Sequence, residues 1–115
     1  MELVALLSSG KGTWGQVSGL IKQQEWDNII LVGDSFARKF SCDKKHEFVE
    51  FRQDTLVRIK VELLEKLRSI VKGTEVALSI ASGDGKEHMA LISALLSVPV
   101  GIRFTALTKE GVIFM

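Results

Sequence analysis

Two near-continuous apolar runs of strand length, Leu3 to Leu7 and Asn28 to Val32, most restrict what this chain can become. A strand with one wet face alternates apolar and polar side chains, so unbroken runs belong in a sheet covered on both faces. Between them, Gly15 to Gln24 carries Val17, Leu20 and Ile21 at helical spacing, which makes a first strand–helix–strand unit. The same grammar repeats further along. Asp34 to Glu47 is polar and reads as a surface loop ahead of a short strand, Phe48 to Phe51. Asp54 is expected to cap a helix whose buried stripe is Leu56, Ile59, Leu63, Leu67 and Ile70, with Gly73 as its stop. Glu75 to Ala81 reads as a buried strand, Ser82 to Lys86 as a turn, and Glu87 to Leu96 as a helix that Pro99 ends. Gly101 to Leu107 and Val112 to Phe114 read as a hairpin whose loop Gly111 closes in a left-handed conformation.

These segments predict one α/β domain over residues 1–115, Rossmann-like, with a mostly parallel sheet, helices on both faces and a C-terminal antiparallel hairpin. The chain stops at Met115 inside an apolar strand, so that edge is expected to be covered, a second subunit being one way to do it. No repeat, linker or low-complexity tract interrupts the pattern.

Composition narrows the function classes. Fifteen Lys plus Arg against fourteen Asp plus Glu leave a formal charge of +1, which gives no global field for duplex DNA or an acidic membrane. Any anion site must be local, and direct duplex binding is not expected. A single cysteine, Cys42, excludes an internal disulfide and a Cys-rich zinc site and fits a reduced, cytoplasmic compartment. The N-terminus has no basic segment and only a short apolar run, so it reads as a buried strand in place of a signal peptide or membrane span.

Two glycine-containing loops carry the chemistry. Ser8-Ser9-Gly10-Lys11-Gly12-Thr13 follows the first strand, and Ser82-Gly83-Asp84-Gly85-Lys86 follows the strand at 75–81. In a doubly wound sheet these two strands are central neighbours, so both loops face one crevice, and Asp34-Ser35 opens from the next strand on the same edge. Glycines permit close backbone approach, helix-start amides point outward, and Lys11 and Lys86 add charge, together suiting a phosphate-bearing ligand. Each loop taken alone is more often just a tight turn, and each lysine alone a solvated surface charge; it is the convergence of the two loops that points to a ligand site.

Sharper motifs fail on spacing. Gly10-Lys11-Gly12-Thr13 is not a Walker loop, because Ala5 holds the position of its first glycine and Gly12 follows the lysine. Gly10, Gly12 and Gly15 fit a dinucleotide fingerprint formally, with Asp34 as a possible ribose partner, but no substrate domain accompanies them. Asp34, Asp84 and His88 lack metal-ligand spacing, so neither a metal nor a cofactor is expected. His46 reads as part of a solvated loop and Cys42 as inert. Trp14 and Trp26 read as packing anchors, although Trp14 is within reach of a nucleobase.

The order of elements, with Ile80-Ala81-Ser82-Gly83-Asp84-Gly85-Lys86-Glu87-His88-Met89-Ala90, resembles the CARF (CRISPR-associated Rossmann fold) domain. Gly83, Gly85, Lys86 and Met89 answer to that family's Gly-Gly-Thr-Lys-x-Met-like turn, with Asp84 a departure, and Ser8, Ser9 and Gly10 answer to its first-strand loop. The resemblance implies a stand-alone sensor domain, a homodimer that binds a cyclic oligoadenylate across its two-fold axis. Ligand contacts would then come from Ser8, Ser9, Gly10, Lys11, Gly12, Thr13, Asp34, Ser35, Ser82, Gly83, Asp84, Gly85, Lys86 and Met89. Some relatives cleave the ring without metal; in that case Lys86 is the cationic stabiliser and Ser9 or Ser8 the orienting group. A small adaptor subunit without a ligand is the remaining reading.

Overall fold

A computed structural model describes residues 1–8 and 13–115. The order is β1 (Glu2–Leu7), α1 (Trp14–Gln23), β2 (Asn28–Gly33), a 3-10 helix (Ser35–Lys39), β3 (Glu47–Glu50), α2 (Leu56–Ile70), β4 (Glu75–Ser79), α3 (Gly85–Ser97), β5 (Gly101–Thr108) and β6 (Gly111–Phe114). The sheet runs β3-β2-β1-β4-β5-β6, parallel throughout except for the β5–β6 hairpin. This is the α/β architecture that the apolar runs require.

Both sheet faces are covered over the central strands β1, β2 and β4. On one, Leu3, Ala5, Leu7, Ile29 and Leu31 pack with Val17, Leu20 and Ile21 of α1. On the other, Val4, Leu6, Ile30, Val32 and Leu78 pack with Ile59, Leu63 and Leu67 of α2 and with Leu91, Ala94 and Leu95 of α3. Right-handed crossovers explain the division. The path from β1 to β2 and the path from β4 to β5 step in opposite directions along the sheet, so α1 and α3 cover opposite faces. The chain therefore reverses direction between β1 and β4, and that pair forms the centre of the sheet.

Several local expectations are corrected. The polar stretch after β2 is not simply a loop, since Asp34 accepts a hydrogen bond from the Phe36 N–H and starts a 3-10 helix that buries Ala37. Strand β3 ends before Phe51, whose N–H still reaches the Gly33 carbonyl. The cap of α2 is Thr55, whose hydroxyl accepts from the Arg58 N–H; Asp54 instead accepts from the Thr55 N–H. Gly73 is no left-handed stop. The chain leaves α2 through an extended Val71, and the Gly73 N–H binds the carboxylate of Glu2. That carboxylate, nearly fully buried, also accepts from the Lys72 N–H and from Asn28 Nδ2, tying the α2–β4 turn to β1 and β2. Strand β4 stops at Ser79, two residues early, and α3 starts at Gly85, two residues early.

The hairpin is as its sequence predicts, with Gly111 at φ +107°. Phe114 packs edge-on against Trp26 and lies under Arg103, which covers part of the C-terminal edge from within the chain. Among the described residues, no helix is long and apolar enough to cross a membrane.

Candidate functional site

The strand order reverses between β1 and β4, and open α/β sheets bind ligands in the crevice outside the carboxyl ends of their strands at such a point. Hydrogen bonds draw the surrounding loops together. The Ser8 N–H donates to Ser82 Oγ at 2.8 Å, so the loop after β1 is fastened to the loop after β4. Trp14 Nε1 donates to the Ser8 carbonyl at 2.8 Å, and the Trp14 ring packs against Phe36 and Phe40. The start of α1 is thereby fixed against the segment after β2. Trp14 is a packing anchor.

Ser82 is almost wholly buried, and its carbonyl oxygen lies 2.8 Å from His88 Nε2. Gly83 then turns at φ +100°, where a Cβ would stand 2.5 Å from Leu6 Cδ2, so both backbone conformation and space demand glycine. Asp84 follows as the cap of α3. Its carboxylate accepts from the Glu87 N–H at 2.8 Å, and Glu87 Oε1 accepts from the Asp84 N–H at 3.1 Å, a reciprocal capping box. This box explains the early start of α3, because it takes Gly85 and Lys86 into the first turn. Their N–H groups remain as donors at the positive end of the helix.

Glu87 is the centre of the crevice floor. It is 3% exposed. Its Oε1 also accepts from the Ser8 hydroxyl at 3.1 Å, and its Oε2 accepts from Gln53 Nε2 at 3.0 Å. Gln53 Nε2 further reaches Asp34 Oδ2 at 3.2 Å. One chain of contacts, Ser8–Glu87–Gln53–Asp34, thus links the ends of β1, α3, β3 and β2. Beside it, Asp34, Ser35, Arg52, Gln53 and Asp54 help line a cleft of about 570 Å³.

No family model and no curated protein matches the chain. Of the residues singled out in the sequence, Ser8, Asp34, Ser82, Gly83, Asp84 and Gly85 gather at or around this crevice. Thr13 takes the N-cap position of α1, and Ser35 opens the 3-10 helix. Lys86 reaches along the β3–α2 loop, its ammonium donating to the Asp54 carbonyl at 3.0 Å. Met89 lies on an open face of α3 and is 59% exposed. Ser9, Gly10, Lys11 and Gly12 lie outside the described residues.

Glu87 and Gln53, which hold these loops together, are not among the residues singled out in the sequence. Asp84-x-x-Glu87 carries the spacing of a capping box and was legible in the sequence. Nothing in the sequence points to Gln53, whose place depends on how the β3–α2 loop folds back. Among the described residues, no group of three or more His, Cys, Asp and Glu side chains is placed to hold a metal ion. Cys42 Sγ lies 3.4 Å from the Lys44 carbonyl, and His46 Nδ1 lies 2.8 Å from the same oxygen.

Proposed function

We propose that the crevice binds a nucleotide, with phosphate at the start of α3 and ribose hydroxyls toward Asp34. The observation that carries this reading is the joining of the two loops by Ser8, Ser82 and Glu87 at the point where the sheet reverses, beside the N–H groups of Gly85 and Lys86. Those N–H groups and the helix dipole favour phosphoryl oxygens. Carboxylate oxygens retain accepting capacity beyond the bonds already described, and Asp34 stands just past β2, where nucleotide-binding sheets of this topology meet a ribose. An anion alone would not be served by a rim that also holds Asp34 and Asp84; a ligand with phosphate at one end and hydroxyls or amines at the other would be.

The resemblance to the CARF domain gives this ligand its finer form, a cyclic oligoadenylate shared across a homodimer in the cytoplasm. Binding has more support than cleavage, since the Lys86 ammonium is engaged by the Asp54 carbonyl. The test is thermal unfolding with cyclic tetra- and hexa-adenylates, linear oligoadenylates, ATP and NAD. A ligand at a hundred times its dissociation constant stabilises by about 2.7 kcal/mol. A shift with a cyclic oligoadenylate alone supports the sensor reading, and chromatography of the same sample reports ring cleavage. A shift with ATP or NAD alone keeps the nucleotide and removes the cyclic form. No shift across the panel removes the reading and favours an adaptor.

A further inference from the structure

Gln53 lies between two carboxylates of the crevice. Its Nε2 donates to Glu87 Oε2 at 3.0 Å and to Asp34 Oδ2 at 3.2 Å, so both amide hydrogens are taken by carboxylate oxygens. Reversing the amide would set its carbonyl oxygen against both carboxylates, which leaves one orientation only. Glu87 enforces it, since this carboxylate is nearly fully buried and its Oε2 accepts from no other described residue. Asp34 is fixed at its other oxygen, because Oδ1 accepts from the Phe36 N–H at 3.0 Å. The planar amide then turns Gln53 Oε1 away from both carboxylates. That oxygen accepts from no described residue, and Gln53 is exposed in the cleft that Asp34 and Ser35 also line.

We infer that Gln53 is the residue by which the crevice selects ribose over 2′-deoxyribose, its Oε1 and the Asp34 carboxylate accepting together from the sugar hydroxyls. This rests on the nucleotide reading above and deepens it. With phosphate at the start of α3, the sugar meets the rim between Asp34 and Gln53. A hydroxyl brings a donor to these acceptors, whereas a deoxy sugar displaces water from them and returns no donor, which costs affinity. The residue type fits the two tasks. Only an amide can donate to two carboxylates on one side and accept from a ligand on the other; a carboxylate at position 53 would repel Asp34 and Glu87, and an amine would offer the sugar no acceptor.

The experiment is titration calorimetry of the full chain with two matched pairs, ATP against 2′-deoxy-ATP, and cyclic tetra-adenylate against the ring of four 2′-deoxyadenylates. In the pair that binds, the ribose member should bind at least about tenfold more tightly. Gln53→Met keeps the length of the side chain and removes both functions of the amide, while Asp34 keeps its bond from the Phe36 N–H. The ribose preference should fall to about threefold or less in this variant, the part that Asp34 supplies alone. Any loosening of the crevice weakens both members of a pair alike and cancels in their ratio, so a purely structural role of Gln53 leaves the ratio unmoved. Position 53 is exposed, and a thermal melt checks that the variant is folded.

The outcomes separate this inference from the reading beneath it. Equal affinities within a pair that binds would overturn the selection by Gln53 and keep the nucleotide. A preference that Gln53→Met leaves unchanged would overturn it too, and would assign the selection to Asp34. Binding by none of the four probes would overturn both.

Discussion

Replacing Glu87 tests whether the crevice floor is held as the structure indicates. Glu87→Ala removes the acceptor of the Ser8 hydroxyl, the Asp84 N–H and Gln53 Nε2 together. A hydrogen bond to a charged group contributes about 1.5–3 kcal/mol, and a stranded buried donor costs about 1–3 kcal/mol. Water can reach the crevice mouth and satisfy some of the three donors, so the expected loss is that of one to two such bonds, about 3 kcal/mol. Glu87→Gln separates shape from chemistry. An amide carbonyl in the place of Oε1 still accepts from Ser8 and Asp84, but the new NH2 faces the NH2 of Gln53. Gln53 can turn its own amide to accept, and Asp34 Oδ2 then loses its donor. One bond is lost in either arrangement, which predicts about 1–1.5 kcal/mol. Urea unfolding followed by tryptophan fluorescence reads both values, because Trp14 is bonded to Ser8 beside the site. The predicted order is wild type, Gln, Ala. Losses under about 0.5 kcal/mol for both variants would refute the network as the tie between the loops.

Three further predictions concern single positions. Gly83→Ala should cost at least about 2 kcal/mol, since a Cβ there combines a positive φ with a collision at Leu6, and a thermal melt unchanged from wild type would contradict this. Ser79→Ala should be neutral or stabilising by up to about 1 kcal/mol, because Ser79 Oγ is buried without a hydrogen-bond partner among the described residues; denaturant midpoints decide the sign. For Glu62, burial pulls the carboxyl upward, but the Arg52 N–H and the Lys66 ammonium outweigh it and hold it below the ordinary glutamate range. A carboxyl lowered in the folded state stabilises at neutral pH and loses that contribution as pH falls through the folded value. Glu62→Gln should therefore cost a few tenths of a kcal/mol near pH 7, screened by its partial exposure, with the gap to wild type closing on acidification; a gap that widens would contradict the assignment.

The order of the sheet was legible because buried strands and their crossovers obey strict rules. Runs such as Leu3 to Leu7 require two covered faces, and right-handed connections then leave β1 and β4 as neighbours. Element ends were less legible, since side chains decide them. The bond from Asp84 to the Glu87 N–H moves the start of α3 to Gly85, and the bond from Glu2 to the Gly73 N–H leaves Gly73 without a capping role. The 3-10 helix is too short to show a period. That the ends of β1 and β4 lie side by side was legible from the strand order, whereas Gln53 meets Glu87 only through a fold-back that no local pattern records.

The central claim is that phosphate sits against the start of α3, and Gly85→Glu tests it most directly by titration calorimetry with cyclic tetra-adenylate. A Cβ at Gly85 meets nothing within 4 Å among the described residues, so a side chain can leave the backbone there without collision. A carboxylate in the first turn complements the helix dipole and leaves stability equal or slightly raised, while it repels phosphate. The account predicts binding by the wild type and an affinity at least about tenfold weaker in the variant, a difference of about 1.4 kcal/mol, with no fall in Tm. Equal affinity in the two proteins would contradict it; a wild type that binds neither this ring nor ATP or NAD in the same titration would contradict it as well.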